Sequence, residues 1–237
     1  MTEICMKIDV VAFDADDTLW INEPRYQEAS KTLQELLAPY ANKEEVTEHL
    51  HRAEIRNLGV YGYGVKGYLI SMLEAAVEIS DEKINGSEIA EILTLGRQML
   101  EEPVHVFDHV EATLERLSEQ TELMVITKGD LVEQEARIAK SGLAKYVDYV
   151  EIVSEKTEDT YRRILETYTI LPWRFLMVGN SLRSDILPVV ALGGRAVYIH
   201  YEGTWAYENT LPDGITADAF EQLDHIGLVP EYLETLE

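Results

Sequence analysis

From residue 103 onward, short β-branched runs alternate with amphipathic stretches. That alternation confines this part of the chain to βαβ units around a parallel sheet. The runs 123–126, 149–153, 175–178 and 196–199 read as strands, separated by helices over 109–119, 130–141, 158–168 and 183–192. One more strand, 8–13, opens the chain and ends in an acidic cluster. Between it and the rest lies a block, 24–101, with no strand pattern; its apolar residues recur at helical spacing in four stretches. A helical block of this length cannot be a loop within a sheet. The expected fold is therefore α/β, a Rossmann-like parallel sheet core flanked by helices (1–20 and 103–237), with an inserted all-helical cap domain (21–102).

The length of 237 residues suffices for a full core without staples. Cys5 is the single cysteine, so no intramolecular disulfide can form and a reducing, cytoplasmic setting is expected. Forty-four acids against twenty bases leave a net charge of −24. That surface repels nucleic-acid backbones and anionic lipid, so neither is an expected partner. No apolar run approaches the ~18 residues of a membrane span.

In an open parallel sheet, ligands bind beyond the carboxyl ends of the strands. The first strand is followed by Asp14-Ala15-Asp16-Asp17-Thr18 and the second by Thr127-Lys128-Gly129. Beyond the third lies Lys156, and beyond the fourth Gly179-Asn180-Ser181-Leu182-Arg183-Ser184-Asp185. Acids brought this close need a cation, and oxygen-only ligands favour a hard ion such as Mg²⁺. Asp14, Asp16 and Asp185 together carry −3, which Mg²⁺ and Lys156 would balance. The roughly neutral site could then take an anion despite the acidic surface. A carboxylate facing a phosphoryl group can act as nucleophile, and a second one two residues on can move the protons.

These four motifs, in this order and each after a strand, resemble the haloacid dehalogenase superfamily, whose helical-cap members carry the insertion just after the first motif. Among those members the chain looks most similar to the branch holding haloacid dehalogenases, phosphoglycolate phosphatases and pyrimidine nucleotidases. The resemblance implies Asp14 as nucleophile and metal ligand, and Asp16 as general acid/base lending its backbone carbonyl to the metal. It implies Thr127 as a phosphoryl-binding hydroxyl, Lys156 as the bridge between nucleophile and phosphoryl charge, and Asp185 as an anchor for Mg²⁺. Asn180 stands where many members have Asp and is the remaining candidate ligand. Members that cleave carbon–halogen bonds lack the second aspartate, so Asp16 argues for phosphoryl transfer. The expected activity is a Mg²⁺-dependent phosphatase acting on a small phosphorylated metabolite; a phosphomutase or a non-catalytic phosphate-binding protein are the alternatives.

Gly62-Tyr63-Gly64-Val65-Lys66-Gly67 matches the G-x-G-x-x-G dinucleotide pattern. The pattern needs a preceding strand, whereas a helix precedes it here. It is expected to be a helix–helix turn in the cap, with Tyr63 and Lys66, together with Lys128, as candidate substrate contacts. Asp17 is expected to stabilise its loop as a hydrogen-bond acceptor. Trp20 is read as packing, or as sitting at the cap entrance. The loop 203–212 has no readable purpose.

Overall fold

A computed structural model describes residues 7–205, 208 and 219–236; Cys5 lies outside them. The chain divides into two compact units. One comprises Met1–Glu23, Val104–Thr127 and Arg137–Glu237, the other Pro24–Pro103 and Lys128–Ala136.

The first unit is built on six strands, β1 (Val10–Phe13), β2 (Glu122–Lys128), β3 (Tyr149–Val153), β4 (Phe175–Gly179), β5 (Arg195–Ile199) and β6 (Glu221–Leu223). They lie in the order β3-β2-β1-β4-β5-β6. The pairs β1–β2, β1–β4, β4–β5 and β5–β6 are parallel. The central strands are apolar throughout because both faces are covered. Alternate residues face opposite ways. Val11, Phe13, Leu123, Val125, Leu176 and Val178 join one buried cluster, with Val110, Leu114 and Leu117 of α5 (Val110–Ser118) and Val229 and Leu233 of α9 (Val229–Thr235). Val10, Ala12, Met124, Ile126, Phe175 and Met177 join another, with Tyr161, Ile164 and Leu165 of α7 (Glu158–Thr167) and Val189 of α8 (Leu187–Ala191). At ~1.5–3 kcal/mol for each large side chain withdrawn from water, these two layers hold the sheet rigid.

Two elements of this unit have no counterpart in the sequence reading: β6, whose residues are Glu, Gln and Leu, and the final helix α9. The expected helix 183–192 is corrected at its start. Residues Leu182–Ile186 form a wider π turn, and the α-helical part begins only at Leu187.

The second unit holds α1 (Glu23–Leu36), α2 (Lys43–Tyr61), α3 (Val65–Ile79) and α4 (Gly86–Glu101), with the first turns of α6 (Leu131–Ser141). Asn42 and Asn85 start α2 and α4 through capping boxes completed by Glu45 and Glu88. Leu33, Leu37, Val46, Leu50, Met72 and Ile92 form the centre of its core. Between α2 and α3, Gly62 and Gly64 take φ of +71° and +108°, which L side chains rarely adopt. The segment therefore is a helix–helix turn and not a strand-to-helix phosphate loop.

Residues Lys128–Ala136, within the expected core of 103–237, group with the helical unit. Glu133 accepts from Arg25 Nη2 at 2.7 Å and from the first backbone N–H of α3, Val65 N, at 2.9 Å. Among the described residues, no helix is long and apolar enough to cross a membrane.

Candidate active site

The parallel register aligns β1 and β4 so that Phe13 faces Val178. The ladder continues one residue further, where Asp14 N donates to Val178 O at 2.9 Å. Asp14 thus leaves the sheet beside Gly179. Lys156, far along the chain from Asp14, reaches both acids: its Nζ lies 2.5 Å from Asp14 Oδ1 and 2.7 Å from Asp185 Oδ1. All three side chains are buried, Asp14 being the most open at 10% exposure.

Gly179 is required by this packing. A Cβ there would stand 2.3 Å from Asp185 Oδ2, so any side chain would push the carboxylate away. Asp185 Oδ2 accepts from Ser181 N at 3.0 Å. Asp185 is therefore fixed at both oxygens.

Two carboxylates against one ammonium leave an excess negative charge in a buried place. Burial pushes the Asp14 carboxyl well above its ordinary range, the Lys156 ammonium draws it down, and Asp185 and Asp16 push it up again. Burial also works against the Lys156 charge, but Asp14 and Asp185 more than offset this and hold its pKa above the ordinary lysine value. Tyr161, whose hydroxyl donates to Ser184 O at 3.0 Å, is pushed far up by burial and by the same acids.

Asp16 is held differently. Trp20 Nε1 donates to its Oδ1 at 2.7 Å, and Arg137 Nη2 stands 3.4 Å from the same oxygen. Arg137 also donates to Asn22 Oδ1 and Ile21 O and lies over the Trp20 ring. Trp20 is thus more than packing: it is buried and orients the second aspartate. Asp17, at φ +63°, accepts from Asn22 N and Glu23 N, as its loop role required. Burial raises its carboxyl to about 6.

Thr127 is buried near the end of β2. Asn180, also buried, accepts from Thr18 Oγ1 at 3.2 Å and donates from Nδ2 to Thr204 Oγ1 at 2.9 Å. Its amide is engaged at both ends as a brace between loops. Tyr63, Lys66 and Lys128 belong to the second unit. There the Lys128 ammonium sits 4.2 Å from the centre of the Tyr63 ring, and Lys66 pairs with Asp130 at 2.8 Å.

The donors that the structure brings together here, Asp14 and Asp185, are carboxylate oxygens. With the excess negative charge, they fit a hard divalent ion. Among the described residues, no three His, Cys, Asp or Glu side chains converge to hold a metal. Such an ion would complete its shell with backbone oxygen and water, as Mg²⁺ commonly does.

The Trp20 and Arg137 contacts escaped sequence reasoning. Arg137 lies more than a hundred residues beyond Asp16, and no spacing links them. The nearest signal was Trp20 standing four residues past Asp16.

The model of the haloacid dehalogenase-like hydrolase family matches residues 8–193. The chain belongs to that family. A family hydrolase from Xanthomonas campestris is 35% identical, with a TM-score of 0.86 over 97% of this chain and 91% of its own. The 2-haloacid dehalogenase of Pseudomonas syringae pv. Tomato is 22% identical, with a TM-score of 0.64 over 97% of this chain and all of its own. A family hydrolase from Bacillus subtilis, bound to magnesium, is 16% identical, with a TM-score of 0.68 over 96% and 99%. Below 25% identity such likenesses establish the fold alone; among these neighbours both dehalogenase and phosphatase descriptions occur. No curated protein matches the chain.

Proposed function

We propose that this chain is a cytoplasmic, Mg²⁺-dependent phosphatase that hydrolyses a small phosphomonoester through a phosphoryl group carried on Asp14. The observation that carries this reading is the buried Asp14–Lys156–Asp185 cluster at the strand ends, with a second aspartate two residues beyond the first. In a dehalogenase the departing halide takes no proton, so the first step has no use for a second carboxylate as acid.

In the first step an Asp14 oxygen attacks phosphorus, and the bond from phosphorus to the ester oxygen breaks. The Asp16 carboxyl gives its proton to that departing oxygen. In the second step Asp16, now a carboxylate, takes a proton from water as the water oxygen attacks phosphorus. The Asp14–phosphorus linkage breaks, inorganic phosphate leaves, and Asp14 is restored. Lys156 stays paired with Asp14 throughout and favours its ionised, attacking form. Thr127 offers a hydroxyl to the phosphoryl oxygens. Trp20 and Arg137 hold the Asp16 carboxylate. Asp14, Asp185 and the Asp16 carbonyl would hold Mg²⁺, with Asn180 bracing the loop beside them. The bound ion would neutralise phosphoryl charge and orient it for in-line attack. Tyr63, Lys66 and Lys128 are assigned to recognition of the rest of the substrate.

The test is phosphate release from a panel of small phosphomonoesters, with Mg²⁺ or with EDTA, by the wild type and Asp14→Asn. Release that needs Mg²⁺ and vanishes in the variant is expected. Halide release from a 2-haloacid without phosphate release would overturn the reading.

A further inference from the structure

The loop that carries Asp185 is held in a geometry that its own backbone does not favour. Residues Leu182–Ile186 form a π turn, in which Leu187 N bonds to Leu182 O, five residues back. Such turns are rare and need outside support. Here Tyr161 donates to Ser184 O, and one carboxylate farther along the chain takes the hydroxyls of both Ser181 and Ser184. Glu208 Oε2 accepts from Ser181 Oγ at 2.6 Å and from Ser184 Oγ at 2.5 Å, and the Glu208 backbone carbonyl accepts from Ser181 Oγ at 3.2 Å. Ser181 Oγ in turn accepts from Ser184 N at 3.0 Å, closing the turn on itself.

Ser181 is the hub of this arrangement. Its hydroxyl faces Glu208 while its backbone N–H donates to Asp185 Oδ2. A shift of Ser181 therefore moves the donor that aims Asp185. Thr204 likewise accepts from Asn180, so Thr204 and Glu208 each bond to this loop. Glu208 is 8% exposed, and burying a carboxylate is costly when packing alone is needed. Two hydroxyls converging on one carboxylate oxygen make short, charge-assisted bonds that a neutral amide would make more weakly.

We infer that Glu208 is a positioning residue for the cation site, acting through Ser181 and Ser184 to fix the loop that presents Asp185. The inference rests on the Mg²⁺-dependent reading above. Outer groups that orient metal-binding carboxylates typically govern about 10–100-fold in metal affinity. Glu208→Gln keeps the volume and removes the charge, and Ser184→Ala removes one of the two hydroxyls with little risk to folding.

The experiment is calorimetric titration of the whole protein with Mg²⁺ in the absence of substrate. It is paired with steady-state kinetics in which Mg²⁺ and phosphomonoester are varied separately. Both variants are expected to bind Mg²⁺ about tenfold more weakly. Their substrate KM and their kcat at saturating Mg²⁺ should stay near wild type, a split that general loosening of the fold would not produce. The double variant should lose little more than Glu208→Gln alone, since both changes break one network. Wild-type Mg²⁺ affinity in both single variants would overturn the role of Glu208 and leave the phosphatase reading intact. Absence of Mg²⁺ binding in the wild type itself would overturn both.

Discussion

Each unit of this molecule buries an ion pair, and the two pairs end in different states. In the helical unit, Glu133 gives one oxygen to Arg25 and the other to Val65 N, and Arg25 goes on to Met99 O. One charge meets one charge, and the carboxylate finishes a helix start. In the sheet unit, Lys156 is shared by Asp14 and Asp185, which leaves one negative charge unbalanced. The difference teaches that burial alone does not mark a functional site. A pair that neutralises itself is architecture; a cluster left with a charge, at the carboxyl ends of parallel strands, is suited to a cation.

This contrast can be broken by substitution. Glu133→Ala leaves the half-buried Arg25 without this counter-ion and is expected to cost about 3 kcal/mol of stability in chemical denaturation. The kcat per folded molecule should stay within a few-fold of wild type. A large fall in kcat at full stability would place Glu133 in the chemistry and end the distinction. Gly179→Ala should do the reverse. Its Cβ would overlap Asp185, and a displacement of that carboxylate by about an ångström is expected to lower kcat/KM roughly 10²-fold, with a smaller loss of stability.

A finer cut separates orientation from packing. Trp20→Phe keeps a ring in place and removes the indole N–H that holds Asp16. A hydrogen bond to a charged group is worth ~1.5–3 kcal/mol, so kcat should fall about tenfold or somewhat more, while the Mg²⁺ requirement persists. Unchanged kcat would return Trp20 to the role of filler.

The smallest effect concerns Glu54 in the helical unit, whose carboxyl is raised to about 7 by burial alone. Its folded-state pKa lies above the unfolded value, so the folded state binds the proton more tightly. Stability is then fully present below the ordinary glutamate range and is lost as pH rises towards 7. Glu54→Gln should flatten that fall and gain about 1–2 kcal/mol at pH 8, allowing for partial exposure to solvent. Thermal melts of both proteins from pH 4 to 8 would register it, and parallel pH curves would refute it.

Legibility in the sequence divides along similar lines. β1, β2 and β4 were legible because strands covered on both faces are apolar runs, and the residues just past them are few. Asp14 stands just past β1, Thr127 and Gly179 in the last residues of β2 and β4, and Asp185 six residues beyond β4. β6 was not legible, since Glu221, Gln222 and Leu223 carry no strand pattern and take their conformation from pairing with β5. The π turn at Leu182–Ile186 reads as the start of a helix because the side chains that bond to it, Tyr161 and Glu208, lie outside the segment. Loop 203–212 had no readable purpose for the same reason: Thr204 and Glu208 acquire theirs only where the fold brings them to Asn180, Ser181 and Ser184. Nor did spacing link Arg25 to Glu133, or Arg137 to Asp16. Local pattern reveals elements and the residues at their ends; contacts between distant polar side chains require the fold.

The central claim is that Asp14 carries the phosphoryl group. The most direct measurement is acid quenching during turnover of the best phosphomonoester, followed by peptide mass spectrometry. One phosphoryl group on the peptide containing Asp14, absent from the Asp14→Asn protein, is the expected result. Steady turnover with no phosphoryl group on that peptide, or with turnover surviving Asp14→Asn, would contradict it.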